Sequence, residues 1–199
     1  MYVEVLKNAV TPQGGLFATP SKRIFMLKRD GHCSFCGSRY PEAAPWPRRC
    51  RTCRNTSYRN PLPVVVVLLP IGKGLVVIRR NIEPQKGTLA LPGGYLDLGE
   101  SWRQGARREL LEETGIDVAA EEISLHDVQN GLDDTLVIFG LARPRPLALL
   151  QPFSSLETRE VLLIEAPIAL GFALHTEVVR RYFARGERTS GLLKGHGDN

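Results

Sequence analysis

The chain has 199 residues, 43% of them apolar and 24% charged, with 26 Lys+Arg against 21 Asp+Glu and a formal charge of +5. These proportions exclude a collagen-like repeat, a coiled coil and a chain disordered throughout. The longest apolar run, Val64 to Leu69, stops at Pro70, far short of a membrane span, and no apolar core follows Lys7 and Asn8 as a secretory leader requires. A cytoplasmic protein with no membrane contact is expected. The charge is uneven: residues 1–60 carry 11 Lys+Arg against 3 acids, a net of +8, whereas residues 61–199 carry 15 against 18, a net of −3. A chain of this length holds one ordinary domain plus a small appendage, and the charge division suggests two regions with different tasks.

In chain order, residues 1–31 form an N-terminal extension of unassigned role, with strand candidates around Val3, Val5 and Leu6 and at Ile24–Leu27. Residues 32–59 contain all four cysteines, as Cys33-x2-Cys36-x13-Cys50-x2-Cys53. Two CxxC knuckles together offer four thiolates to a tetrahedral Zn²⁺, and Gly37 follows the first pair where a knuckle favours positive φ. Two disulfides are the rival reading, suited to a secreted chain. His32 could replace a ligand, although four cysteines suffice. A four-cysteine site is closed to water and therefore structural. Around it stand Arg39, Arg48, Arg49, Arg51 and Arg54, with Phe35, Tyr40 and Trp46 among them. They suggest a nucleic-acid surface or, as we favour, a solvated ribbon that pads a dimer interface or shapes a pocket.

Residues 60–185 read as the main domain. Asn60-Pro61-Leu62-Pro63 suggests a linker, Val64–Leu69 and Leu75–Ile78 suggest strands separated by a Gly72/Gly74 turn, and Leu91–Gly94 reads as a loop. A helix is expected over about Ser101–Thr114, stopped by a left-handed Gly115. Strands are expected near Ile123–Val128, Thr135–Ala142 and Val161–Ile164, and a last helix from about Thr176 to Ala184. Residues 186–199 are polar, glycine-rich and read as a frayed tail.

The most informative segment is the acidic helix. Glu109 and Glu113 lie one turn apart and Glu112 falls beside them on one face. Carboxylates this close raise one another's pKa unless a cation neutralises them, and hard oxygen ligands suit Mg²⁺ or Mn²⁺, which substrate phosphates commonly complete. Gly93 and Gly94 let the backbone approach such an ion, and Arg108 can pair the carboxylates bidentately. A bare acidic cluster would more often be a solvated helix face.

The whole string is more specific. Gly94-x5-Glu100-x7-Arg108-Glu109-Leu110-x-Glu112-Glu113-x-Gly115-Ile116 matches the Nudix box at every position, so the chain resembles the Nudix hydrolase family. The resemblance implies an α/β fold, an α/β/α sandwich with a mixed sheet, preceded here by a small zinc ribbon. It implies Mg²⁺-dependent hydrolysis of a nucleoside diphosphate linked to another group. It also implies metal ligation by Glu109 and Glu113 with Glu112 adding, support from Glu100 and Arg108, and the Gly93 carbonyl completing the shell. The order of ribbon, Asn60-Pro61, strand, Arg79-Arg80-Asn81-Ile82-Glu83-Pro84, Gly87 and Leu91–Leu96 resembles a zinc-ribbon subgroup that includes plant FAD and ADP-ribose pyrophosphatases. The similarity covers roughly residues 32–183. It departs at Leu89, where relatives usually carry Trp. NADH pyrophosphatases carry a Ser-Gln-Pro-Trp motif after the box that is missing here, which counts against NADH.

Attack of a metal-activated water on one phosphorus is expected, with a nucleoside monophosphate leaving. Arg79 or Arg80 could clamp the diphosphate or be edge-strand charges. A general base is expected from the helix or from a later loop, where Glu157 resembles the post-box loop glutamate of relatives, with Glu160 as rival. His126 and His175 read as structural. A homodimer acting on small nucleotides such as FAD or ADP-ribose is expected. The alternative is an RNA-directed protein, whether decapping NAD-capped RNA or mRNA or regulating through a nucleic-acid-binding ribbon.

Overall fold

The structure, a computed structural model, describes residues 30–132 and 134–184, which fall into two compact units divided between Arg59 and Asn60. The strand candidates within residues 1–29 and the tail at 186–199 lie outside the described residues.

The first unit is a ribbon built on two equivalent knuckles. In one, the Gly37 N–H donates to the Cys33 carbonyl at 2.9 Å. In the other, the Arg54 N–H donates to the Cys50 carbonyl at 3.0 Å. Gly37 and Arg54 occupy the same position after their CxxC pairs and both are left-handed, at φ 74° and 62°. A short hairpin of β1 (Arg48–Arg49) and β2 (Thr56–Ser57) carries the second knuckle as its turn. Tyr40 is buried with Cys33 and Cys50 and donates its hydroxyl to Ser57 Oγ at 2.8 Å.

The second unit begins with β3 (Leu62–Leu68), followed by β4 (Pro70–Ile71) and β5 (Gly74–Arg80). β6 (Leu89–Ala90) and β7 (Gly93–Tyr95) lead into α1 (Trp102–Thr114). β8 (Ile123–Asn130), β9 (Thr135–Ala142) and β10 (Thr158–Ile164) precede α2 (Ala173–Ala184). One sheet runs β7-β3-β9-β8 and is mixed, because β3 and β9 are parallel. The other runs β10-β5-β4, with β6 also on β5, and is antiparallel.

The helices explain why β3 is apolar at every step. Val65 and Val67 pack with Ala106 and Leu110 of α1, whereas Val66 and Leu68 pack with Val178, Val179 and Tyr182 of α2. All four are at most 1% exposed, so both faces of the strand are covered and no polar alternation is needed. The α/β/α sandwich with a mixed sheet is therefore the fold, with the four-cysteine ribbon ahead of it.

The elements differ from the sequence expectation in several places, among them these. β3 starts at Leu62, inside the expected linker, because proline is tolerated at a strand's end. Gly93 and Gly94, expected in a loop, form with Tyr95 an edge strand that pairs with Val64–Val66. Leu89–Ala90 is a strand too short to carry a periodic signal. α2 starts at Ala173, earlier than expected, and Thr176 Oγ1 accepts the Leu170 N–H at 2.9 Å just ahead of it.

Candidate active site and metal centres

α1 sets the position of the acidic residues. Ser101 Oγ accepts the Gln104 N–H while the Gln104 carboxamide oxygen accepts the Ser101 N–H at 2.8 Å, a reciprocal cap that fixes the helix start. Gly115 closes the helix at φ 72°, its N–H reaching the Leu111 carbonyl at 2.8 Å. Between these ends Ala106 and Leu110 enter the core, and Glu109 and Glu113 stand at its border, 8% and 3% exposed.

Both carboxylates face the glycine pair of β7. The Gly93 N–H donates to Glu113 Oε2 at 2.7 Å. A Cβ on Gly94 would fall 2.7 Å from Glu109 Oε1, and one on Gly93 would fall 2.2 Å from the Val65 carbonyl oxygen. Only glycines let this segment pass between β3 and the acidic face of α1.

Arg108 organises the rest. Its Nε and Nη2 donate to the two oxygens of Glu100 at 2.8 and 3.0 Å, a bidentate fork. Its Nη1 donates to Glu109 Oε1 at 2.7 Å and Glu112 Oε2 at 3.2 Å, and Nη2 also reaches the Tyr95 carbonyl at 2.9 Å. The Arg108 bond, with the Asp97 N–H, holds the Glu100 carboxyl below its usual range. The same bond to Glu100 raises the Arg108 guanidinium further above its ordinary value.

The two buried glutamates behave in the opposite sense. Burial raises the proton affinity of Glu109 against the pull of Arg108. Burial pushes the Glu113 carboxyl up to about 8, despite the Gly93 N–H, and the charges of Glu109 and Glu157 add to the rise while Arg80 reduces it. Paired buried carboxylates with raised proton affinity are an environment that a divalent cation relieves. Their hard oxygens, with those of Glu112, which shares Arg108 Nη1 with Glu109, are the donor type that suits Mg²⁺ or Mn²⁺. The glutamates are more widely spread than the thiols. Among the described residues the four cysteines form the single group of three or more such ligand atoms within 4.8 Å of one another.

The remaining expected residues are distributed as follows. Arg79 donates through Nε to Glu160 Oε1 at 2.5 Å and through Nη1 to the Gly87 carbonyl at 3.1 Å. Arg80 donates to the Pro84 carbonyl at 2.9 Å, lies over the Phe172 ring at 5.2 Å, and is near enough to lower the proton affinity of Glu113. Glu157 is exposed and its charge reaches both Glu109 and Glu113, whereas the Glu160 carboxylate is engaged by Arg79. His175 is buried, accepts the Leu91 N–H on Nδ1 at 3.2 Å, and is held neutral by burial, its pKa near 3. It is a structural contact beneath the glycine segment. Leu89, where relatives usually carry Trp, packs with the α2-side core.

In the ribbon, the Cys33 and Cys53 sulfurs lie 3.7 Å apart and those of Cys36 and Cys50 3.6 Å apart. A tetrahedral Zn²⁺ with bonds of about 2.3 Å sets its sulfurs about 3.8 Å apart, so the thiols fit the ion. All four cysteines are free, and the disulfide reading is not realised. His32 stands outside the cluster. Burial opposes ionisation of Cys33, but N–H groups of Phe35 and Cys36 outweigh it and bring the thiol down to about 6. Arg48 is committed internally. It donates to the Ala44 and Asp30 carbonyls and stacks over the Trp46 ring at 4.4 Å.

Two features were not found from sequence. One is the Tyr95 carbonyl as an Arg108 partner. The other is the hold of Asn81 on the Glu157 turn, where Asn81 Nδ2 donates to the Leu156 carbonyl at 3.1 Å. Asn81 lies inside the Arg79–Pro84 string, but nothing in one sequence joins it to a residue so far along the chain.

A family model described as the NUDIX domain matches residues 59–162, over half of the chain. The chain is similar to the NAD-capped RNA hydrolase NudC of Salmonella typhi, 23% identical over 117 residues, which cover 57% of this chain and 45% of that protein. It thus spans about half the length of the curated relatives it matches. Among solved structures it is similar to a NUDIX hydrolase from Nitrosomonas europaea, with TM-score 0.62 and 24% identity over 78% of this chain and 92% of that one. It is also similar to the NUDIX domain of Shewanella oneidensis NrtR complexed with ADP ribose, with TM-score 0.50 and 20% identity over 63% of this chain and 90% of that one. With the box residues gathered around Arg108 and the domain model spanning them, the chain belongs to the Nudix family.

Proposed function

We propose that the protein is a Mg²⁺- or Mn²⁺-dependent pyrophosphohydrolase. It cleaves the diphosphate of a nucleoside diphosphate linked to another group, FAD or ADP-ribose in first place, and releases a nucleoside monophosphate. The observation that carries this reading is the pair of buried carboxylates, Glu109 and Glu113, set against the Gly93-Gly94 backbone and framed by Arg108. When bound, the metal supplies a Lewis acid that acidifies water and absorbs charge on phosphoryl oxygens. Glu109 and Glu113 are its main ligands in this reading, with Glu112 and the Gly93 carbonyl completing the set. Arg108 and Glu100 hold those ligands in place.

Of the two arginines, Arg80 is better placed for the diphosphate, because Arg79 is tied to Glu160. Glu157 is the candidate general base for the same reason: it is exposed beside the acidic pair, whereas Glu160 is engaged. The zinc of the ribbon is structural, since four thiolates leave no open position. A second reading, hydrolysis of NAD-capped RNA, is supported by the similarity to the NudC proteins. It uses the same chemistry on a diphosphate.

The test is a Mg²⁺-dependent hydrolysis panel of FAD, ADP-ribose, NADH, diadenosine polyphosphates, dNTPs and NAD-capped RNA. Preferred turnover of FAD or ADP-ribose supports the first reading, and preferred turnover of capped RNA the second. No turnover of any of them with either metal would sink both.

A further inference from the structure

The turn that carries Glu157 is closed on itself. Ser155 Oγ accepts the N–H groups of Glu157 and Thr158 at 3.3 and 3.1 Å, and the Ser155 N–H donates to the Thr158 carbonyl at 2.7 Å. Such a turn is locally rigid but still needs a fixed attachment. Its tip offers none, since Leu156 is 89% exposed.

Attachment comes from two sides. Thr158, fully buried, ties the turn to β10, where a bulge between Thr158 and Glu160 sets Thr158 opposite Arg80. Val161 and Leu163 of that strand pack with the α1-side core. The bulge brings Thr158 into the register that Val161 and Leu163 share, and the charge of Glu157 at the end of the turn reaches Glu109 and Glu113 of α1. Asn81, immediately after β5, supplies the second hold. Its backbone N–H donates to the Glu157 carbonyl at 2.7 Å and its Nδ2 to the Leu156 carbonyl at 3.1 Å. A carboxamide donates to the Leu156 carbonyl here, whereas a carboxylate would repel it and an apolar side chain would leave it to water and the turn without this hold.

We propose that Asn81 is a positioning residue: its carboxamide, bonded to the Leu156 carbonyl, fixes the Ser155–Thr158 turn and so holds the Glu157 carboxylate beside the acidic face of α1. The inference rests on the reading of Glu157 as general base.

Asn81→Ala, Glu157→Gln and the double variant test it, with hydrogen exchange of the metal-free protein as a readout independent of turnover. In Asn81→Ala the amides of Glu157 and Thr158 should exchange about tenfold faster while those of α1 are unchanged. On the substrate the panel identifies, kcat should fall about tenfold with KM within about twofold, since a displaced base slows chemistry rather than binding. In the Glu157→Gln background the same change should cost less than about twofold, because the two residues act as one unit. Unchanged exchange, or an equal loss of kcat with and without Glu157, overturns the role of Asn81 alone. Parental turnover in Glu157→Gln removes Glu157 as the base and, with it, Asn81 as its positioning residue.

Discussion

Replacing Glu113 by Gln keeps the side-chain length and an acceptor for the Gly93 N–H, but removes a charge from a position only 3% exposed. In the metal-free protein burial lifts this carboxyl from 4.5 to about 8. A folded-state pKa above the unfolded one means that the folded chain retains the proton longer as pH rises. The contribution of Glu113 to stability is therefore greatest below about pH 4.5, declines as pH climbs to about 8, and is level beyond. A rise of that size corresponds to about 5 kcal/mol in a rigid site. Relaxation around the carboxylate reduces it, and a difference of about 2 kcal/mol, some 6 °C in Tm for a domain of this size, is the least the reasoning requires. Thermal unfolding after dialysis against Mg²⁺-free buffer should show the parent losing stability relative to Glu113→Gln between about pH 5 and about pH 8.5. Added Mg²⁺ should then stabilise the parent and leave the variant unmoved, because only a ligand bound to the folded state shifts the transition. Turnover should be abolished in the variant. Parallel pH profiles would refute the buried charge, and equal stabilisation by Mg²⁺ would refute Glu113 as a ligand.

Three further outcomes follow from the same geometry. Arg108→Lys keeps the charge but not the fork that spans Glu100, Glu109 and the Tyr95 carbonyl, so kcat should fall about 10- to 100-fold. Parental kcat would remove Arg108 as organiser. Gly94→Ala places a Cβ 2.7 Å from Glu109 Oε1 and should weaken Mn²⁺ binding about tenfold in a calorimetric titration, with unchanged affinity counting against Glu109 as a ligand. The purified protein should carry about one zinc per chain by elemental mass spectrometry, and Cys50→Ser should lose most of it. Full zinc content in that variant would exclude Cys50 from the site.

Where sequence and structure agree, the interaction is local. α1 was readable end to end because Ser101, Gln104 and Gly115 act within one turn of the residues they cap. The grouping of Arg108, Glu109, Glu112 and Glu113 follows from the same helical spacing, and Glu100 joins it from the loop just ahead of the cap. β3 and β5 were readable as apolar runs, although the runs could not say that β3 is covered on both faces. Gly93–Tyr95 was unreadable as a strand because glycine has no strand preference of its own. It pairs because β3 presents an edge and the absence of Cβ atoms lets the backbone in. The choice between Arg79 and Arg80 was closed to the sequence, since adjacent residues in a strand differ only in the face they occupy, and that between Glu157 and Glu160 turns on which of them Arg79 engages across the sheet.

The sequence by itself determined the family, the ribbon's four clustered cysteines and the order of carboxylates along one helix, all of which are written in short-range spacing. Only the tertiary structure decided what stands around that helix. Arg80 is near Glu113, Arg79 is tied to Glu160, and Asn81 holds the turn of Glu157. Those neighbours are fixed by the register of β5 against β10 and its bulge, and register is set by packing on both faces of the sandwich at once.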